Sequence, residues 1–271
     1  MLNLTVIITL YKTPSKQLLN LKNYKGLKIL IGNQTQDKEI KKKLFKFLGN
    51  KLKYFEFKKN IGLSKSSNFL LKKVKTKFCL FTQADVNISL NSIKKLYKFI
   101  YKNNYIFVGP KILNENKKIK KKSNIKNKFK IVKKLDAAVL MMNTKRIKKI
   151  GFFDSDFFLY WEDVFLMRKI NITGNKMAKL NGVYAFHPGE KSSEKNYKID
   201  FLRWSNYRFG EYLYEYKIHN FKLIKLIRRL ITNLILLTFN IFSLNHKKLN
   251  KSLAEITGIL KFTGYIIKKF I

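Results

Sequence analysis

Acidic residues are scarce in this chain, so where they fall carries information. Only 7 Asp and 9 Glu stand against 58 Lys and Arg in 271 residues, and four of the 16 acids lie within ten positions: Asp154, Asp156, Glu162 and Asp163. Two carboxylate sites stand out. Asp85 closely follows the apolar run KFCLFT. A carboxylate at the carboxyl end of a buried strand sits where a sheet protein places a metal or phosphate site, although turn aspartates are also common there. The second site is the pair Glu162–Asp163 behind FFDSDFFLYW. Adjacent carboxylates on a turn entering a helix serve as caps. Flanked by Phe157, Phe158, Tyr160 and Trp161, however, an acid sits in apolar surroundings that raise its pKa and suit it to accept a proton. The three histidines, His187, His219 and His246, lie too far apart for a helical metal motif, and the single Cys79 excludes a disulfide framework or a multi-cysteine zinc site.

The elements needed to position these residues are set by the hydrophobic pattern. Residues 3–10 form a continuous apolar, β-branched run that predicts a buried strand, and a helix start comes next from Ser15 to Leu21. A second strand is expected at 27–32, then a Lys-rich helix, then a short strand in LKYFEF. NIGLSKSSNFLLKKV reads as a glycine-containing turn and a helix, and KFCLFTQADV as a strand that turns polar at Gln83 and Asp85. NSIKKLYKFIYK is an amphipathic helix, YIFVGPKI a strand, and residues 135–143 another buried strand. Strands alternating with helices at this spacing predict an α/β fold with a mostly parallel sheet, whose ligands bind at the carboxyl ends of the strands. Residues 117–134 hold ten lysines and no acid, which predicts a mobile surface loop.

The formal net charge of +42 invites a nucleic-acid reading. Composition argues against it. The cations are 52 Lys and only 6 Arg, in a chain rich in Ile, Asn and Phe and poor in Ala, Gly, Pro and Arg. That split matches AT-rich codons, and specific nucleic-acid readers favour Arg for its planar, bidentate fork. A cationic surface is still drawn to anionic membranes and anionic substrates. With 46% hydrophobic and 14% aromatic residues, the chain has ample material for a core. Met1 leads directly into LNLTVIITL with no basic start or cleavage pattern, which argues against a secreted protein.

From about Asp200 the strand pattern gives way to helical segments mixing aromatic and basic residues. The uncharged stretch from Leu230 to Asn245 is about 16 residues and contains Asn233 and Asn240, whereas a bilayer span takes roughly 20 apolar residues. Framed by Arg228 and Arg229 before it and Lys247 and Lys248 after it, this segment suits an interfacial helix, or equally a helix packed on the core. The aromatic residues Trp204, Tyr207, Phe209 and Tyr212 read as packing ahead of sugar stacking.

The ordered segments TVIITLYKT, LIGNQTQD, NIGLSKSSN, FTQADV, VGPKI, DAAVLMMNTKRIKKIGFFDSDFFLYWEDVFLMRK and HPGEKSS resemble the family 2 glycosyltransferases, in particular a rhamnosyltransferase-like branch with the GT-A fold. The resemblance covers residues 3–195, and its most specific piece is GFFDSDFFLYWEDVFLMRK. It implies a GT-A domain over 1–199 and leaves 200–271 as a helical, amphipathic tail with possible membrane contact.

The resemblance also implies roles. Thr9 and Tyr11 would lie at the nucleotide of the donor. Asn33 matches the polar loop after the second strand, while the acid that usually precedes it is Gly32 here. Asn60, Gly62 and Asn68 match the turn and helix bordering the nucleotide. Gln83-Ala84-Asp85 matches the acidic motif that grips a divalent cation, Mg²⁺ or Mn²⁺, with Gln83 in place of its first acid. Asp85 then remains as the carboxylate ligand. His187 matches a histidine near the donor phosphates and an aid to the metal, and reads equally well as a satisfied loop histidine. Asp163 matches the general base with Glu162 beside it, and Phe165 replaces an acid often found two residues later.

The reaction implied by this resemblance is an inverting transfer of rhamnose or a hexose from a nucleotide-diphosphate donor to a lipid-linked or cell-surface glycan. The enzyme is expected at the cytoplasmic face of a membrane, in cell-wall or surface polysaccharide synthesis. The alternatives are a non-catalytic nucleotide- or glycan-binding relative and a basic nucleic-acid-binding protein.

Overall fold

The computed structural model describes residues 2–114, 128–189 and 191–270. Its contacts divide the chain into two compact units: Met1–Asp154 with Asp163–Glu194, and Ser155–Glu162 with Lys195–Ile271.

The first unit is a mixed sheet with helices. Strands β1 (Leu4–Leu10), β2 (Lys28–Asn33), β3 (Leu52–Glu56) and β4 (Phe78–Thr82) alternate with helices α1 (Ser15–Leu18), α2 (Lys38–Leu48) and α3 (Leu63–Lys73). After α4 (Leu90–Lys102) come β5 (Phe107–Leu113), β6 (Phe129–Val132), β7 (Val139–Asn143), α5 (Thr144–Ile150), α6 (Glu162–Ile172) and β8 (Met177–Phe186). The sheet order is β3-β2-β1-β4-β7-β5-β8-β6. Its first four strands are parallel, as the βα alternation requires, and β5 is parallel to β8. β7 runs antiparallel to both β4 and β5, and β6 antiparallel to β8. β1 and β4 are buried along nearly their whole length, which matches their unbroken apolar sequences. Two clusters form the core, one centred on Val6, Ile8, Leu80 and Met141, the other on Ile7, Phe81, Leu140 and Phe107. Cys79 is buried and unpaired among them.

Two expectations change here. Within the 117–134 stretch expected to be a loop, residues 115–127 lie outside the described residues, but Phe129–Val132 is strand β6, paired with β8 from Phe129↔Leu180 to Val132↔Met177. The ladder of β8 supplies what local composition lacked. The buried strand expected over 135–143 begins only at Val139, because Asp136 turns the backbone by accepting the Ala138 amide at 2.9 Å.

The second unit is helical: α7 (Tyr197–Lys217), α8 (Leu223–Phe242) and α9 (His246–Phe270), with α9 packed on both others. Gly258 of α9 lies where a Cβ would come within 2.5 Å of the Ser205 carbonyl and 2.7 Å of Arg208 Cβ, so the two backbones meet there. Tyr212 is fully buried against Phe221 and Phe262 and is a packing residue, while Tyr207 touches the Trp161 ring but stays exposed. Glu211, Glu215 and Glu255 are paired within the unit. Buried Arg208 contacts Glu211 and binds Glu255 at 2.7–2.8 Å, while Lys225 binds Glu211 at 2.8 Å and contacts Glu215. Among the described residues no helix is long and apolar enough to cross a membrane.

Candidate active site

Strand β4 ends at Thr82, and the chain then turns so that Asp85 is delivered to the interior with its side chain fully shielded. Its Oδ2 accepts the Lys191 amide at 3.2 Å and lies 3.4 Å from His187 Nε2, while its Oδ1 is buried with no hydrogen-bond partner among the described residues. His187 comes directly after β8 and is held by its own amide donating to Leu113 O at 2.9 Å. Burial of the imidazole opposes its protonation, but contact with Asp85, the charge of Asp85 and that of Asp136 outweigh this and raise its pKa above the ordinary value. A buried carboxylate oxygen with nothing to bond is costly.

This pair fits a divalent cation. Carboxylate and imidazole are suitable donors for such ions, and the orphaned Oδ1 marks where one would be satisfied. Among the described residues no group of three or more His, Cys, Asp and Glu side chains gathers to hold a metal. Mg²⁺ and Mn²⁺ sites with few protein donors are completed by substrate phosphates and water.

The carboxyl ends of β1 and β2 and the start of α3 form a shelf of hydroxyls and amides. Thr9 Oγ1 and Ser66 Oγ lie 3.0 Å apart, and the hydroxyls of Ser64 and Ser67 are buried without partners among the described residues. Gly62 takes φ +85° to start α3, and Asn60 Oδ1 accepts its amide at 3.0 Å. Gln34 Oε1 accepts the Ile61 amide at 2.8 Å, tying the β2 loop to this turn. Tyr11, just past β1, is half-buried.

Two of the expected nucleotide-side residues spend their polar atoms inside the fold. Asn33 is fully buried. Its Nδ2 donates to Tyr54 Oη at 2.9 Å, and its Oδ1 accepts from the Thr35 amide and hydroxyl. Asn68 clamps the Phe153 backbone, donating to its carbonyl at 2.8 Å and accepting its amide at 3.1 Å, which ties α3 to the GFFD turn. At Gly32, where an acid is usual before Asn33, a Cβ would lie 2.9 Å from the Phe57 ring and 3.2 Å from Ser66 Oγ, so those side chains would have to give way to admit one.

Asp163 stands in the first turn of α6. The residue keeps partial solvent access, yet the protein crowds its carboxyl group closely. Burial raises its pKa; the backbone amides of Val164 and of Asp163 itself and the charge of Lys134 counteract, and the charge of Asp136 adds to the rise, leaving the net direction upward. Asp136 is thus the residue that sequence reasoning missed. It is exposed, and its charge acts on both Asp163 and His187. Its only sequence signal was a rare acid beside a buried strand. Glu162 is buried, unlike its neighbour, and is grouped with the helical unit. Just before it, Tyr160 and Trp161 both take φ +69°, a left-handed conformation that bulky side chains rarely adopt. Packing holds them there: the Trp161 ring lies against Tyr207 and Tyr214, and Gly210 leaves room for it.

The order of these pieces is that of a known sequence family. The model of "Glycosyl transferase family 2" matches residues 16–168, more than half of the chain. The chain belongs to glycosyl transferase family 2. No curated protein sequence matches it. In structure it is similar to the mannosyltransferase PcManGT from Pyrobaculum calidifontis in complex with GDP-Man and Mn²⁺, at TM-score 0.62 and 11% identity, covering 96% of this chain and 87% of that one. It is also similar to S. aureus TarS 1-349 in complex with UDP-GlcNAc, at TM-score 0.60 and 19% identity, covering 96% and 80%. GalNAc-T7 with UDP, GalNAc and Mn²⁺ matches at TM-score 0.57 and 14% identity. These likenesses establish the GT-A fold for this family 2 member. The chain spans 47% of the GalNAc-T7 chain and 43% of a longer TarS chain.

Proposed function

We propose that this family 2 chain is an inverting glycosyltransferase using a nucleotide-diphosphate sugar donor and a divalent cation. The observation that carries the reading is the pairing of two differently prepared acids in one unit. Asp85 is shielded, its Oδ2 near His187 and its Oδ1 orphaned, and Asp163 is a largely buried carboxylate with an elevated pKa. An acid prepared to accept a proton and an acid prepared to bind a cation are the two functions this reaction needs.

In the step proposed, an acceptor hydroxyl gives its proton to Asp163 as its oxygen attacks the anomeric carbon of the donor sugar. The bond from that carbon to the diphosphate oxygen breaks, and the nucleoside diphosphate leaves with the bonding electrons. Asp85 and His187 would hold Mg²⁺ or Mn²⁺, which when bound offsets charge on the diphosphate. Thr9, Tyr11, Asn60, Gly62 and Gln83 border the donor in this reading, while Asn33 and Asn68 act through the loops they fix. The absence of a side chain at Gly32 leaves the base to be recognised by other groups, and the sugar is either rhamnose or a hexose. The acceptor class we infer is a lipid-linked or cell-surface glycan, met at the inner face of a membrane in surface-polysaccharide synthesis. The expectation of no nucleic-acid partner carries over into this reading, because the surplus charge is almost all lysine.

General base catalysis contributes on the order of 10²–10⁴-fold. Asp163→Asn is therefore expected to lower turnover by at least about 100-fold while keeping its donor-dependent rise in melting temperature. Near wild-type turnover in the folded variant contradicts the assignment.

A further inference from the structure

Helix α8 leaves much of its apolar surface uncovered. Its fully buried positions are Leu226, Asn233 and Asn240, recurring every seven residues, with Leu230 and Leu237 half-buried beside them, so the inward seam carries two amides. Asn240 Nδ2 reaches Ser252 Oγ of α9 at 3.4 Å, and Asn233 Nδ2 donates back to Arg229 O at 2.9 Å. A row of exposed large apolar side chains lies on the other side. Ile224, Ile231, Ile235 and Phe242 fall on one line of the helix, with Phe239 beside it. Their exposures are 71%, 52%, 64%, 83% and 64%. A helix that stays in water hides such a stripe against its own core.

The charges around this face are as one-sided as the face is apolar. From residue 216 to residue 254 the sequence holds eight Lys and Arg and no acid. Glu211 and Glu215, on the preceding helix, are already committed to Arg208 and Lys225. Arg228 is exposed on the same side as Ile224 and Ile231, Arg229 is exposed next to it, and Lys247 and Lys248 are exposed beyond the far end. Long cationic side chains reach headgroup phosphates while apolar neighbours sink deeper. A second copy of the chain is a poor occupant, since each copy brings a formal charge of +42 to the contact.

We propose that α8 docks flat on an anionic membrane leaflet, with the face from Ile224 to Phe242 at the acyl boundary and Arg228, Arg229, Lys247 and Lys248 on lipid phosphates. This deepens, and rests on, the reading that the enzyme meets its acceptor at a membrane. The test is flotation of the full chain with vesicles of phosphatidylcholine alone and with about one-third phosphatidylglycerol. The chain is expected to float with the anionic vesicles and to stay behind with the neutral ones. Ile235→Ser combined with Phe242→Ser changes only exposed side chains and is expected to cut partitioning by roughly tenfold or more. The donor-dependent melting shift should be unchanged in that variant. Wild-type protein that ignores anionic vesicles overturns the proposal, as does a double variant that binds them fully. Lipid-free self-association that the double variant abolishes also overturns it, by assigning the face to a contact between copies. No donor or acceptor enters the flotation, so its failure leaves the transferase reading standing, and a lost donor response leaves this one standing.

Discussion

At the scale of residues, the carboxylate proposed as the base, Asp163, is balanced between opposing influences. Burial and Asp136 push the pKa of Asp163 above 3.8, while two backbone amides and Lys134 pull it down. A base must be ionised to accept a proton, so turnover falls as pH drops through that pKa. The acidic limb of the pH–rate profile is therefore expected above the position of an ordinary aspartate. Asp136→Asn removes a negative neighbour, makes ionisation easier and should move the limb to lower pH. Lys134→Gln removes a positive neighbour and should move it to higher pH. A limb that stays fixed in both variants, or shifts the same way in both, contradicts the assignment of Asp163 as base. Asp85 and Asp163 were legible in the sequence because acids are rare enough to stand out. Asp136 was not, because its relevance comes from spatial proximity and no motif marks it. Asn33 and Asn68 were legible as positions near a site, but their occupation by Tyr54 and the Phe153 backbone depends on tertiary contacts that one sequence does not display.

At the scale of elements, backbone geometry does much of the positioning. Gly258 allows α9 to touch α7 at Ser205 and Arg208. A methyl group there would meet a backbone carbonyl, which cannot swing aside, so Gly258→Ala is expected to destabilise the helical unit by about 1–3 kcal/mol through overpacking. Denaturant melts monitored by Trp204 and Trp161 fluorescence check this, and unchanged stability would mean the helices are farther apart than described. The parallel strands β1, β2 and β4 were legible because each is a short, mainly apolar run bounded by turn residues, and β3 as a short strand between a Lys-rich helix and Asn60. Strand β8 was not. MAKLNGVYAF mixes polar and apolar positions and contains Gly182 at φ +75°, and its partner β5 shifts register between Gly109 and Lys111. Strand β6 was hidden in a lysine-rich stretch because an edge strand can keep its charges in water. The uncovered apolar face of α8 was half legible: the apolar stretch and its flanking cations were visible, but which face packs was settled only by α9.

At the scale of the whole molecule, the chain joins a GT-A sheet unit to a helical unit rich in cations, with Glu211, Glu215 and Glu255 already paired inside it. A net charge of +42 creates a field, and that field has two proposed anionic targets, the donor diphosphate and the lipid surface. The central claim is that the Asp85–His187 pair binds a nucleotide-diphosphate sugar through a divalent cation. The most direct measurement is the melting temperature with UDP-, GDP- and dTDP-sugars, each with and without Mn²⁺, in the wild type and in Asp85→Asn. Ligand that favours the folded state at about 100 times its Kd adds about 2.7 kcal/mol, a readily measured shift. A rise is expected with one class of nucleotide, dependent on Mn²⁺ and lost in Asp85→Asn. A cooperatively melting wild-type protein that responds to none of these donors, or an Asp85→Asn variant that responds as fully as wild type, would contradict the claim.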